Sequence, residues 1–272
     1  MIKTTYNVCE KFGWNQNRSF PLEPILQKNI GYRRAYYMLL QPLSAFSKGF
    51  NFMKENWDYA IVLDSCRYDV FEKVNWIPGR LQKKQSIASA TMEWIKKTIT
   101  KDFMDTVVIT ANPFLSPLKL REITGKAKRF YKNIPAWEIG LDRKLGVAPP
   151  WTMLEMSKKR IKKFKDKKML FWFNQPHSPY LKYDKKRDEI IKGTSPGSMA
   201  SGESSMKEMK EDYVANLVIV LEYISKLVEY LDGKIIITAD HGECFGEMGV
   251  FTHPQRVHIP PLVDVPYFEI EK

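Results

Sequence analysis

The chain has 272 residues, of which 44% are hydrophobic, and these values are typical of one large folded domain and exclude a disordered chain. Its net charge of +12 predicts an anionic partner, such as a phosphate or sulfate ester, nucleic acid or an acidic lipid surface. The three cysteines contain no C-x-x-C pair, which excludes a disulfide framework and a zinc ribbon.

The N-terminal region shows no continuous apolar segment followed by a cleavage site, and no apolar run of the sequence approaches the roughly 20 residues that cross a bilayer. We therefore expect a soluble, cytoplasmic protein in a reducing compartment, with peripheral membrane contact as an open alternative. Residues 1–56 are expected to form a helical segment packed on the core, and residues 57–272 an α/β domain.

Four short apolar runs predict buried strands because they are nearly continuous rather than alternating. They lie at 58–64, 105–111, 168–174 and 234–240. Helical patterns separate them, and this alternation predicts a three-layer α/β/α sandwich around a mostly parallel sheet.

A strongly basic segment at 158–168 has eight Lys or Arg among eleven residues. We interpret it as the solvated face of a helix whose inner face is apolar, formed by Met153, Leu154, Ile161 and Phe164. The alternative is a docking surface for an anionic polymer or a lipid headgroup. No nucleic-acid-binding motif accompanies the segment, so a nucleic-acid partner is not expected.

The next helix is predicted from a capping box. Ser205 is its N-cap, Glu208 follows three residues later, apolar residues recur at helical spacing, and Gly233 ends the pattern. The preceding residues 192–205 are small, polar and rich in Gly and Ser, which predicts a flexible loop.

Polar residues directly follow three of the predicted strands. Asp64 ends the first, His177 lies shortly after the third, and Asp240 and His241 follow the fourth, with His253 twelve residues beyond His241. Because parallel sheets bind ligands at the carboxyl ends of their strands, we expect these side chains at one edge. Asp and His are ligands that suit a divalent metal such as zinc or manganese.

Three segments, IVLDSCRYD, NQPHSPY and IIITADHGECFGEMGVFTHP, resemble the sulfatase-like branch of the alkaline phosphatase superfamily in sequence and order. This branch includes sulfatases, phosphoethanolamine transferases and lipoteichoic-acid synthase-like proteins. The resemblance implies an alkaline-phosphatase-like fold. It also implies a metal-dependent hydrolase or transferase that acts on a phosphate ester, phosphodiester or sulfate ester through a covalent Ser or Thr intermediate.

The resemblance further implies a cofactor and a substrate class. The cofactor is one or two divalent ions, zinc or manganese first and calcium or magnesium as alternatives, held by Asp64, Asp240 and His241. His177 and His253 match positions that contact the transferred group or a second metal. The implied substrate is an anionic small molecule, a glycan or a lipid headgroup.

The resemblance places the nucleophile, which is also a metal ligand, in the segment KKQSIASATMEWIKKTI. Matching Glu93-Trp94 to the acidic-aromatic pair of lipoteichoic-acid synthase-like members points to Ser89. Matching the hydroxyl nearest the helix start points to Thr91. We favour Ser89 and keep Thr91 as the alternative.

The sequence also departs from the family pattern. The Cys-x-Pro-Ser-Arg signature is absent, which argues against a formylglycine sulfatase. Arg67 is a candidate for binding the substrate anion, and an ion pair with Asp69 or Asp64 is the alternative. Cys66 and Cys244 are expected to be small buried residues without a catalytic role.

A second hypothesis follows from the absence of a strong nucleophile motif. The chain would then be a non-catalytic or weakly active relative that serves as an anion-binding or partner-docking module. The retained Asp64, Asp240 and His241 favour the enzyme, because buried polar groups are costly to keep without a ligand.

Overall fold

A computed structural model describes residues 29–46 and 49–272 of the chain. Its centre is a seven-stranded sheet with the order β2-β11-β8-β1-β5-β3-β4. The sheet strands are β1 (Tyr59–Asp64), β2 (Arg80–Gln85), β3 (Phe103–Thr110), β4 (Phe130–Pro135), β5 (Lys168–Pro176), β8 (Lys234–Ala239) and β11 (Asp264–Glu271). Two short hairpins lie outside it, β6 (Leu181–Asp184) with β7 (Glu189–Lys192), and β9 (Cys244–Phe245) with β10 (Phe251–Thr252).

Helices cover both faces of the sheet because every central strand is apolar on both sides. Ile61 of β1 packs with α2, α6 and α8, while Val62 packs on the opposite face with α3 and α4. The helices are α1 (Ile30–Leu40), α2 (Tyr68–Val74), α3 (Thr91–Thr98), α4 (Pro117–Thr124), α5 (Ala136–Ile139), α6 (Pro150–Ile161), α7 (Pro196–Ala200), α8 (Met206–Val228) and α9 (Pro260–Val263).

The predicted fold class is confirmed. The four predicted strands became β1, β3, β5 and β8, and the pairs β1–β5, β1–β8 and β3–β5 are all parallel. Only β11 runs antiparallel to both of its neighbours. The carboxyl ends of these neighbouring parallel strands therefore lie at one edge of the sheet, where we expected the polar side chains that follow the strands.

The helix predicted from the capping box is confirmed as α8. The hydroxyl of Ser205 accepts a hydrogen bond from the Glu208 N–H, and the Glu208 carboxylate accepts one from the Ser205 N–H. Within the segment predicted as a loop, residues 196–200 form the short helix α7. The division of the chain at residue 56 stays a prediction, because residues 1–28 and 47–48 lie outside the described residues.

The basic segment 158–168 is shared between three elements. Helix α6 ends at Ile161, a turn follows, and β5 begins at Lys168. Met153 and Leu154 are buried, and Ile161 and Phe164 pack against the same apolar cluster, so the inner face is apolar as predicted. None of the described helices is both long and apolar enough to cross a bilayer.

Candidate metal centre

Three predicted metal ligands meet at the carboxyl edge of the sheet. Asp64 is the last residue of β1, and Asp240 and His241 directly follow the neighbouring strand β8. One ligand atom from each of the three lies within 4.8 Å of the other two, and all three side chains are buried. The strand order therefore brings together residues that are 176 positions apart in the chain.

Backbone groups fix the Asp240 carboxylate so that one oxygen faces the cluster. Its Oδ1 accepts hydrogen bonds from the N–H groups of Ser65 at 3.1 Å and His241 at 2.9 Å. Its Oδ2 accepts a hydrogen bond from the Thr91 hydroxyl at 2.7 Å. Oδ1 is thus held by two backbone N–H groups, whereas Oδ2 lies in the cluster beside the Thr91 hydroxyl.

The donors and acceptors of the cluster leave room for a cation. His241 Nδ1 lies 2.8 Å from the Gly242 carbonyl, which can only accept, so Nδ1 carries the proton and Nε2 is an acceptor. The Thr91 hydroxyl lies 3.1 Å from Nε2 and has one proton for two acceptors, Nε2 and Asp240 Oδ2. One acceptor therefore lacks a donor, which is the arrangement that a positive ion satisfies.

The charge of the cluster also fits a cation. Burial and the neighbouring Asp240 raise the pKa of Asp64 well above its ordinary value, and burial raises the pKa of Asp240 as well. Burial lowers the pKa of His241, so the imidazole is neutral. Among the described residues, neither carboxylate has an ion pair with Lys or Arg. Two carboxylates with a neutral imidazole are a ligand set that suits zinc or manganese.

Asn112 is a site residue that the sequence analysis missed. Its side-chain amide donates a hydrogen bond to Asp64 Oδ2, and Ser65 Oγ donates one to Asp64 Oδ1 at 3.2 Å. Asn112 lies two residues after β3, so the rule that selected the other strand ends applies to it equally. Such outer hydrogen bonds hold a ligand carboxylate in position.

The two candidate nucleophiles occupy different places. Thr91 is the first residue of α3, and its hydroxyl lies in the cluster. Ser89 Oγ donates to the Pro254 carbonyl at 2.8 Å and accepts from the Val257 N–H at 3.1 Å. Ser89 therefore joins α3 to the loop after β10, and the structure does not bring its hydroxyl to Asp240 or His241.

His177 and His253 lie next to each other in the lining of a cavity of about 440 Å³, which also includes Asp64, Thr91 and Asn112. Their ring centroids are 5.1 Å apart.

The buried Glu243, which the sequence analysis left without a role, lies 3.0 Å from His253 Nδ1. Burial disfavours a charged imidazole, but the attraction of Glu243 outweighs it and raises the pKa of His253 to about 9. The signal for Glu243 was its place in the Asp-His-Gly-Glu segment.

Arg67 is close in sequence to Asp64, which lines the cavity, but the Arg67 side chain does not line it. Its buried guanidinium forms ion pairs with Asp69 at 2.7 Å and with Glu247, and it donates to the Glu243 carbonyl at 3.2 Å. Arg67 is therefore not among the described residues that could contact a ligand in the cavity. The geometry corresponds to the ion-pair alternative with Asp69. Cys66 and Cys244 are buried, as expected for small core residues, and form no disulfide among the described residues.

No family model and no curated protein matches the amino-acid sequence. Solved structures do share the fold. The soluble domain of lipooligosaccharide phosphoethanolamine transferase A from Neisseria meningitidis aligns with a TM-score of 0.55 and 10% identity over 78% of this chain and 75% of that chain. The corresponding integral membrane protein aligns with a TM-score of 0.55 and 12% identity over 88% of this chain and 54% of that chain. The resemblance noted in the sequence is thereby confirmed at the level of the fold.

The expected cytoplasmic location is contradicted by these neighbours. One of them, lipooligosaccharide phosphoethanolamine transferase A from Neisseria meningitidis, is an integral membrane protein. The expectation was wrong because free cysteines and the lack of an apolar span are weak indicators of compartment.

Proposed function

We propose that this chain is a divalent-metal-dependent phosphoester transferase or hydrolase that uses Thr91 as its nucleophile. The observation that carries the proposal is the hydroxyl of Thr91, which lies 2.7 Å from Asp240 and 3.1 Å from His241 in a buried cluster of acceptors. The fold shared with a phosphoethanolamine transferase supports phosphoester transfer as the reaction class.

Four side chains would hold the ion: Asp64, Asp240, His241 and the hydroxyl of Thr91. Four ligands of this kind suit the tetrahedral coordination of zinc. When bound, a divalent ion supplies positive charge that favours loss of the Thr91 hydroxyl proton and neutralises charge on phosphoryl oxygens. Asn112 keeps the Asp64 carboxylate turned toward this position.

The surrounding groups suit a phosphoryl group. The first turn of α3 lines the cavity, and its N-cap Ala90 makes no side-chain hydrogen bond, so backbone N–H groups are available to an anion. His177 and His253 also line the cavity, the His253 ring lies 4.6 Å from the His241 ring between centroids, and the Glu243 carboxylate keeps His253 protonated. His253 can therefore stabilise the phosphoryl oxygens or protonate the leaving oxygen.

The reaction then has two balanced steps. In the first, the Thr91 hydroxyl releases its proton to solvent, Thr91 Oγ forms a bond to phosphorus, the bond to the leaving alcohol breaks, and His253 donates a proton to that alcohol. In the second, water or an acceptor hydroxyl gives its proton to His253 and attacks the phosphorus, the bond to Thr91 breaks, and the Thr91 oxygen regains a proton from solvent. Hydrolysis and transfer differ only in that second nucleophile.

The proposed substrate carries its phosphoester on a glycan or a lipid headgroup, and we propose that the protein acts outside the cytoplasm. The names of the structural neighbours, a lipooligosaccharide transferase and its integral membrane form, support both proposals. A small anionic ester remains the simplest laboratory substrate, because the chemistry at phosphorus is the same.

The test combines metal analysis with turnover of chromogenic phosphodiesters, phosphomonoesters and sulfate esters. We expect bound zinc or manganese, phosphodiester turnover that chelation abolishes, and loss of metal and at least about a hundredfold of activity in Asp240→Asn. Asp69→Asn is the matched control, since Asp69 pairs with Arg67 outside the cluster. Full activity in Asp240→Asn contradicts the proposal. Metal binding without turnover indicates the non-catalytic module, and turnover of sulfate esters alone indicates the other ester class.

A further inference from the structure

Ser65, the residue directly after β1, has a backbone conformation that is uncommon outside glycine. Its φ angle is 61°, in the left-handed region where the Cβ atom of an L-residue crowds the backbone. Ser65 is also fully buried. A conformation of this kind persists only where the surrounding structure holds it, so the turn at Ser65 requires partners that fix it.

Ser65 contacts all three residues that the proposed function assigns to the ion from β1 and β8. Its N–H donates a hydrogen bond to Asp240 Oδ1 at 3.1 Å, and its hydroxyl donates one to Asp64 Oδ1 at 3.2 Å. The same hydroxyl oxygen lies 3.5 Å from His241 Nδ1. The left-handed turn thus directs one donor to each carboxylate, and a rotation of the Ser65 backbone would withdraw both donors.

Tyr213 of helix α8 bridges the two ends of this turn. Its hydroxyl donates a hydrogen bond to the Ser65 carbonyl at 2.7 Å and accepts one from the Arg67 N–H at 3.0 Å. One side-chain group therefore pairs a backbone acceptor and a backbone donor that belong to buried residues. Buried backbone groups require such partners, so the hydroxyl favours the turn over other conformations of the same segment.

The Tyr213 ring is itself held in place by the core. It is fully buried, and it packs edge-on against Tyr180 and Phe245, with ring centroids 5.9 Å and 5.1 Å apart. Met209 and Leu217, one helical turn to either side of Tyr213, belong to the main apolar cluster. Because the ring cannot shift with a displaced turn, its hydroxyl is a fixed point against which the turn is set.

We propose that Tyr213 is a positioning residue of the metal centre. It fixes the left-handed turn at Ser65, and Ser65 holds the carboxylates of Asp64 and Asp240. The inference rests on the metal centre of the proposed function. It adds a residue that is not among the described residues lining the cavity and that acts on the ligands through Ser65 alone.

The test is zinc affinity, measured by competition with a chromophoric chelator under conditions in which circular dichroism shows each protein to be folded. Tyr213→Phe removes the hydroxyl and keeps the ring. We expect zinc to bind about tenfold more weakly, as is typical when a residue that supports a metal ligand is lost. Turnover of a soluble phosphodiester should fall at limiting zinc and recover at saturating zinc, because the ligands themselves are unchanged.

Tyr180→Phe is the matched control. Tyr180 is as fully buried as Tyr213 and packs against its ring, but its hydroxyl has no hydrogen-bond partner among the described residues. The control protein should bind zinc within about twofold of the unmodified chain, since no hydrogen bond is removed. A general loosening of the core would instead weaken zinc binding equally in both variants.

A second pair of variants tests whether Tyr213 acts through Ser65. Ser65→Gly removes the hydrogen bond to Asp64, but glycine adopts the left-handed conformation without support. Adding Tyr213→Phe to Ser65→Gly should therefore weaken zinc binding less than about threefold, against about tenfold in the unmodified chain. This pair also provides the comparison if Tyr213→Phe alone does not fold.

Three results overturn the inference while the proposed function stands. They are zinc binding by Tyr213→Phe equal to that of the unmodified chain, an equal loss in Tyr180→Phe, and an equal loss from Tyr213→Phe with and without Ser65→Gly. An unmodified chain that binds no zinc contradicts the metal centre and both proposals with it. Zinc affinities that follow the expected pattern without turnover in any protein support the positioning role and contradict catalysis alone.

Discussion

Replacing Thr91 and Ser89 one at a time separates the two hydroxyls that the sequence leaves as alternative nucleophiles. Thr91→Ala removes the hydroxyl that is hydrogen bonded to Asp240 and lies 3.1 Å from His241. Without a nucleophile only binding and electrostatic stabilisation remain, so we expect kcat/KM to fall by at least about a thousandfold. The metal content of Thr91→Ala should fall by a smaller factor than its kcat/KM, because three of the four proposed ligands are unchanged.

Ser89→Ala should affect stability more than activity. The substitution removes the donor to the half-buried Pro254 carbonyl and the acceptor of the buried Val257 N–H in the loop after β10. An unmet buried group costs about 1–3 kcal/mol, so the free energy of unfolding should fall by about that amount. We expect kcat/KM to stay within about tenfold, since the hydroxyl does not reach the cluster.

Both variants are assayed for phosphodiester turnover with saturating zinc and for stability by urea denaturation. Thr91→Ser is the matched control, because it keeps the hydroxyl and removes one buried methyl group, at a cost of about 1 kcal/mol. It should retain kcat/KM within about tenfold. The reasoning is refuted if folded Ser89→Ala loses a thousandfold while Thr91→Ala remains active.

Three further predictions concern the ion and the residues around it. Zinc at a hundred times its dissociation constant should stabilise the protein by about 2.7 kcal/mol in thermal unfolding, and Asp240→Asn should abolish that shift; a persistent shift locates the ion elsewhere. Asn112→Ala frees the Asp64 carboxylate and should weaken zinc binding about 10- to 100-fold in competition with a chromophoric chelator, whereas unchanged affinity removes its positioning role. Arg67→Met leaves Glu247 without its partner and should lower the free energy of unfolding by about 2 kcal/mol in urea at unchanged KM; a raised KM with unchanged stability would assign Arg67 to the substrate.

The fold was predictable because its signals are local. The four apolar runs were long enough to identify β1, β3, β5 and β8, and the capping box at Ser205 defined the start of α8. Strands separated by helices are connected in parallel, so the fold class followed without knowledge of strand order. The order itself, including the antiparallel β11 between β2 and β8, depends on contacts between distant segments.

The candidate site was predictable only in part. Asp64, Asp240 and His241 each adjoin an apolar strand, and parallel strands end at one edge, so their meeting followed from pattern alone. The position of Asn112 follows the same rule, but its hydrogen bond to Asp64 spans one intervening strand, because β5 lies between β1 and β3.

Other features of the site depend on geometry that sequence spacing does not encode. Ser89 and Thr91 both adjoin the start of α3, and the backbone path through Ala90 decides which hydroxyl faces the sheet edge. The principal partners of Arg67 include Glu247, which is 180 residues away. Such a pairing becomes visible only when the loop after β9 is seen to fold back on the start of α2.

The most direct test of the central claim is to trap and locate the covalent intermediate. The zinc-loaded chain is mixed with a chromogenic phosphodiester, quenched in acid within the first turnovers, digested and analysed by mass spectrometry. We expect a phosphoryl adduct on Thr91, formed only with metal and absent from Thr91→Ala. An adduct on Ser89, or steady turnover with no adduct on the peptide that contains Thr91, would contradict the account.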